Sequence, residues 1–128
     1  LPPRHEPTTP RPIKPRPEKM ALLIERGFSW EVIKQLFEGY WLDACYQNDV
    51  LRPGDAEESP NRMVLQFRQG DCYYRMAFEL LQNDFGPHLP PVEAVIVTIF
   101  NDGCRPALPE CPVQILDGSF DLPLENIP

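Results

Sequence analysis

From Ser29 onward, large apolar side chains recur every three or four residues: Trp30, Ile33, Phe37, Tyr40, Trp41 and Ala44. That spacing gathers them on one face and predicts a helix over residues 29–48. Ser29 suits the N-cap, and Glu31 falls in the first turn, where the helix dipole favours a carboxylate. Gly39 lies inside this helix, at a cost of about 1 kcal/mol relative to Ala, and marks its weak point. A shorter helix is expected over residues 19–26, closed by Gly27 in the left-handed conformation. Further along the period becomes two. Met63, Leu65 and Phe67 alternate with Val64, Gln66 and Arg68, as in a strand with one buried face.

Residues 72–84 satisfy both periods. Asp71 as a cap and Phe85-Gly86-Pro87 as a terminator turn the reading towards a helix. Residues 92–100 form a nearly continuous apolar, β-branched run, which predicts a central strand covered on both faces. Residues 113–116 read as a short strand. Turns are expected at 52–55, 69–71, 101–103 and 117–118, with a polar loop over 56–61 and an extended acidic end. The order of elements predicts an α+β domain, with an N-terminal helical segment packed on a small, mostly antiparallel sheet.

Proline changes the picture at the N-terminus. Of 17 prolines in 128 residues, seven fall within the first 17 positions. Few apolar side chains accompany them, so that stretch has little surface to bury against its ordering entropy. Residues 1–18 are therefore expected to be a disordered, proline-rich basic arm, and residues 19–128 a single acidic domain. Within the arm, Pro7 with Pro10 and Pro12 with Pro15 have the spacing that groove-binding polyproline segments use. The commoner role for such a tract is a flexible linker.

Charge divides at the same place. The first 19 residues hold five basic and two acidic side chains, and the remainder seven basic and seventeen acidic. An acidic body repels phosphate backbones unless one face is unusual, so direct nucleic-acid binding is not expected. A basic protein partner is. No run approaches the ~18 apolar residues of a membrane span.

Catalytic signals are sparse. Cys45, Cys72, Cys104 and Cys111 are too few for a disulfide scaffold and too far apart for a zinc site, and neither histidine lies within five residues of a cysteine. No metal or other cofactor is expected. Cys104 and Cys111 enclose a short loop and form the best disulfide candidate. Reduced cysteines and a cytoplasmic location are the main reading, and a secreted form with that disulfide is the alternative. Cysteine catalysis would pair Cys72 or Cys104 with His88. Carboxylate pairs such as Asp84 with Glu93, or Asp102 with Asp117, carry no specificity among 19 acidic residues. No glycine-rich phosphate loop occurs.

Leu22 to Gly39, LLIERGFSWEVIKQLFEG, resembles the opening of a ubiquitin-associated domain, with Arg26-Gly27-Phe28 at the loop position. The resemblance implies a third helix over residues 40–51 and a ubiquitin-contacting surface at Gly27 and Phe28. On the residues alone, Phe28, Trp30, Phe37, Tyr40 and Trp41 are the candidate partner-binding positions, because two tryptophans and a tyrosine exceed what one small helix face buries easily. The leading expectation is a non-catalytic protein-interaction domain that binds a protein partner or a second copy of itself. The alternatives are a small cysteine-dependent enzyme and an acidic regulator competing with nucleic acid for a basic protein.

Overall fold

Period-two patterning dominates the centre of the molecule. The computed structural model describes residues 8–50, 61–81, 86 and 88–124. The expected turn at 52–55, most of the 56–61 loop, the 85–87 terminator except Gly86, the first seven residues of the arm and the last four of the chain lie outside them. In chain order the elements are β1 (Arg11–Ile13), α1 (Pro17–Glu25), α2 (Trp30–Tyr40), a 3-10 turn (Trp41–Asp43), β2 (Cys45–Tyr46), α3 (Gln47–Val50), β3 (Arg62–Gln69), β4 (Cys72–Leu81), β5 (Glu93–Gly103) and β6 (Val113–Ile115). The fold is α+β.

The sheet runs β1-β5-β4-β3-β2, with β6 beside β2 on the far edge of β3. Its long pairings, β3–β4 and β4–β5, are antiparallel, as is β2–β3; β1–β5 and β3–β6 are parallel. The β3–β4 hairpin closes through Gly70-Asp71, because Gln69 pairs with Cys72. Gly70 has φ +60°, which a two-residue hairpin turn requires at its first central position and which favours glycine.

Residues 72–81 are therefore a strand, not the expected helix. Tyr74, Met76 and Phe78 are fully buried on one face, while Tyr73, Arg75, Ala77 and Glu79 point to the other. Their helical spacing is incidental: a strand with partners on both edges bonds its backbone fully, and Asp71 belongs to the hairpin turn rather than to a cap. The 29–48 helix is also corrected. It ends at Tyr40, past Gly39, and after the 3-10 turn the chain extends so that Cys45 and Tyr46 pair with Val64 and Met63. With a strand at residues 45–46, the third helix that the ubiquitin-associated resemblance implies over 40–51 is replaced, apart from the short α3.

The expectation of a disordered arm needs revision over its described part. Arg11 to Ile13 pair with Glu93 to Val95, an ion pair joins Arg11 to Glu93, and Pro15 is buried. Proline suits this place, since an edge strand leaves one side of its backbone unbonded. Pro17 then opens α1 at its first position, where a missing N–H costs nothing. Strand β5 is central only in part, pairing with β4 along its length but with β1 over three residues.

One core fills the inner face of the sheet. Leu23 of α1, Ile33, Leu36 and Phe37 of α2, and Leu116 and Leu122 near the C-terminus pack on Leu65, Phe67, Tyr74, Met76, Phe78, Ile96 and Ile99. Ser29 caps α2 by accepting a hydrogen bond from the Val32 N–H at 3.3 Å. Gly27 is needed twice over: its φ is +96°, and a Cβ there would sit 3.2 Å from Pro123.

Candidate functional site

The aromatic face of residues 28–46 divides into a buried half and an open half. Phe28 and Phe37 are core residues, at 2% and 0% exposure. Phe28 meets Tyr74 edge-on with ring centroids 6.1 Å apart, and Phe37 meets Phe78 edge-on at 5.0 Å. Neither is open to a partner, which corrects two of the five candidate positions; of the Gly27-Phe28 pair, Gly27 is exposed and Phe28 is turned into the protein's own core. Trp30, Tyr40 and Trp41 are half-buried against that core. Trp41 stacks on Phe37 at 6.4 Å, Tyr40 lies edge-on to Phe67 at 5.5 Å, and the Lys14 ammonium stands 5.9 Å from the Trp30 ring centre.

Leu42 and Tyr46 are the side chains that open outward here, at 63% and 54% exposure. Both lie beyond the end of α2, Leu42 in the 3-10 turn and Tyr46 in β2. Glu38, Asp43 and Asp49 are exposed in the same stretch of chain, and no basic residue occurs between Lys34 and Val50. The stretch thus exposes two large apolar side chains and three carboxylates. Sequence periodicity missed both residues because neither shares the three-and-four spacing of Trp30, Ile33, Phe37, Tyr40, Trp41 and Ala44.

The outer face of the sheet is different. Its cross-strand rows set Arg62 beside Glu79, Gln66 beside Arg75 and Phe100, and Arg68 beside Tyr73. Arg62 and Glu79 form an ion pair at 3.5 Å. Arg75 pairs with Asp102 at 3.4 Å and lies 4.4 Å from the centre of the Phe100 ring. Burial holds the Asp102 carboxyl above its ordinary range, partly opposed by Arg75. Arg26 closes the β5 edge by donating to Thr98 Oγ1 and to the Ile99 carbonyl, each at 3.2 Å. A cavity of about 380 Å³ lies where Pro15, Arg16 and Lys19 approach Arg62, Glu79 and Val97. Arg62, Arg68 and Arg75 thus share this face of an acidic protein. Carboxylates already engage Arg62 and Arg75, and a partly self-neutralised face attracts phosphate weakly.

Loop residues 104–112 cover part of this face. Buried Gln66 anchors the loop, donating from Nε2 to the carbonyls of Leu108 at 2.8 Å and Cys111 at 2.9 Å and accepting from the Leu108 N–H at 3.0 Å. Beneath it Val64, Leu108 and Cys111 form a small second core, with Cys45 packed against it. All four cysteines are free thiols. Cys104 is exposed, and the contact of Cys111 is Cys45, which corrects the expected Cys104–Cys111 pairing. Burial, reinforced by Cys45, pushes the Cys111 thiol up to about 12. Cys72 donates to the Leu124 carbonyl at 3.3 Å. His88 is exposed in its loop, and among the described residues no hydrogen bond joins it to a cysteine.

Asp102 and Asp117 have separate partners, Arg75 and Ser119, and Asp84 lies outside the described residues. Among the described residues, no group of three or more His, Cys, Asp or Glu side chains is placed to hold a metal ion, and no helix is long and apolar enough to cross a membrane. Comparison with known proteins found no matching family model, curated protein or solved structure.

Proposed function

We propose that this domain binds a protein partner without catalysis, through the patch centred on Leu42 and Tyr46 with the open edge of Trp41 beside them. The observation that carries the reading is the exposure of Leu42 and Tyr46 within five residues of one another, in a stretch where Glu38, Asp43 and Asp49 are exposed as well. Large apolar side chains grouped on a surface cost solvation unless a partner covers them. The carboxylates select the partner's chemistry: a segment with one or two apolar side chains flanked by lysine or arginine fits this stretch. A second copy of the chain fits less well, since like charges would face each other. Competition with nucleic acid for a basic protein is one form this activity would take.

Affinity capture from a source lysate, with wild-type protein and Leu42→Ser/Tyr46→Ser side by side, tests the proposal. Both side chains are exposed, so the urea midpoint should move by no more than about 0.5 kcal/mol equivalent per site. Wild type should retain basic proteins that elute with rising salt, and the double variant should lose them. Identical retention by both proteins, or retention insensitive to salt, overturns the reading. Trp41→Ala is a poorer probe, because its stacking on Phe37 makes it partly structural.

A further inference from the structure

We infer that Cys45 and Cys111 are a disulfide-forming pair, and that their oxidation staples the 104–112 loop to strand β2. The two thiols come from distant parts of the chain, and the sheet brings them together. Cys45 pairs across β2–β3 with Val64, while the Cys111 Sγ lies 3.8 Å from the Val64 carbonyl oxygen. Both side chains touch the same small cluster under the loop, Cys111 as a buried member beside Val64 and Leu108 and Cys45 packed against it. The anchoring of Leu108 and Cys111 by Gln66 holds the loop in place before any bond forms, so the cross-link closes on a pre-set arrangement.

The two cysteines differ in access, which sets the order of steps. Cys45 is partly exposed and Cys111 is 3% exposed. With a small-molecule disulfide such as oxidised glutathione as oxidant, the Cys45 thiolate attacks one sulfur and expels one glutathione thiolate. The Cys111 thiolate then attacks the Cys45 sulfur of the mixed disulfide and expels the second. Two protein S–H bonds are replaced by one S–S bond. The two electrons reduce the oxidant to two thiols, which take up the two protons. Cys72 and Cys104 have other surroundings and stay reduced.

The test oxidises the full folded chain with glutathione disulfide, quenches in acid, alkylates the remaining thiols and maps linkages by mass spectrometry without reduction. Cleavage after Glu110 separates Cys104 from Cys111, so the two candidate bridges give different peptides. The expected product is a peptide pair joining Cys45 to Cys111, with Cys72 and Cys104 alkylated. Cys104→Ser should give the same bridge, and Cys45→Ser should leave no intramolecular bridge. The oxidised wild type should melt several degrees above its reduced form, and Cys45→Ser should show no such difference. A Cys104–Cys111 bridge, or stable glutathione adducts with no internal bridge in the wild type, overturns the inference.

Discussion

The two faces of the sheet are made by the same strands and held by different physics. On the inner face, Leu65, Phe67, Tyr74, Met76, Phe78, Ile96 and Ile99 meet two helices and the C-terminal segment, and cohesion comes from buried apolar area. On the outer face, ion pairs, a cation over a ring and one glutamine's hydrogen bonds hold side chains and a loop in place. Area is tolerant of small shifts and scales with volume removed. Directional contacts involve few atoms and depend on each partner. The inner face should therefore decide whether the chain folds, and the outer face what sits on it.

The largest effect is expected inside. Phe37→Ala removes a fully buried ring that packs on both Phe78 and Trp41, and should cost about 3–5 kcal/mol by chemical denaturation. A cost below 1 kcal/mol would mean that α2 is peripheral and the contrast between the faces is wrong. Gln66→Leu should come next. It keeps roughly the volume but leaves the Leu108 N–H and the Leu108 and Cys111 carbonyls without the amide, at about 1–3 kcal/mol. Amide exchange at Leu108 should speed up far more than exchange in β4. Equal protection in both variants would show that the loop is held by Leu108 packing alone.

Much of this arrangement was legible in the sequence, for physical reasons that can be named. Strong local signals survived: Ser29 as cap, Gly27 as terminator, and Met63, Leu65 and Phe67 as the inner face of a strand, although Val64 and Gln66 on its other face are buried too, where one buried face was expected. Residues 72–81 did not, because their backbone bonds to strands on both sides and such partners leave no mark in local spacing. That misreading hid the outer face as well. Once residues 72–81 form a strand, Arg75 necessarily stands between Gln66 and Phe100. The arm's pairing was hidden for the opposite reason: three residues beside β5 bury little, and their proline content argued for disorder. Within the proposed binding stretch the apolar period did not separate core positions from surface ones. It ranked Phe28 and Phe37 with the binding face, when the most regular positions are the ones the core takes.

The smallest expected effect separates the faces by pH. At pH 7, Tyr74 on the inner face and Cys111 under the outer loop are protonated in both folded and unfolded chains, so neither makes stability depend on pH. Burial, with Cys72 adding to it, lifts Tyr74 from 10.0 to about 12, and burial with Cys45 lifts Cys111 from 9.0 to about 12. As pH rises, the unfolded chain releases these protons first, so folding stability should fall from about pH 9 and more steeply from about pH 10. Tyr74→Phe should shift stability at pH 7 by about 1 kcal/mol, through loss of the hydrogen bond to the Pro123 carbonyl, and flatten the decline above pH 10. Cys111→Ala should flatten the part that begins near pH 9. Urea midpoints measured from pH 7 to 11 decide the matter: if Tyr74→Phe leaves the slope above pH 10 unchanged, the inner-face hydroxyl is not shielded as its burial requires.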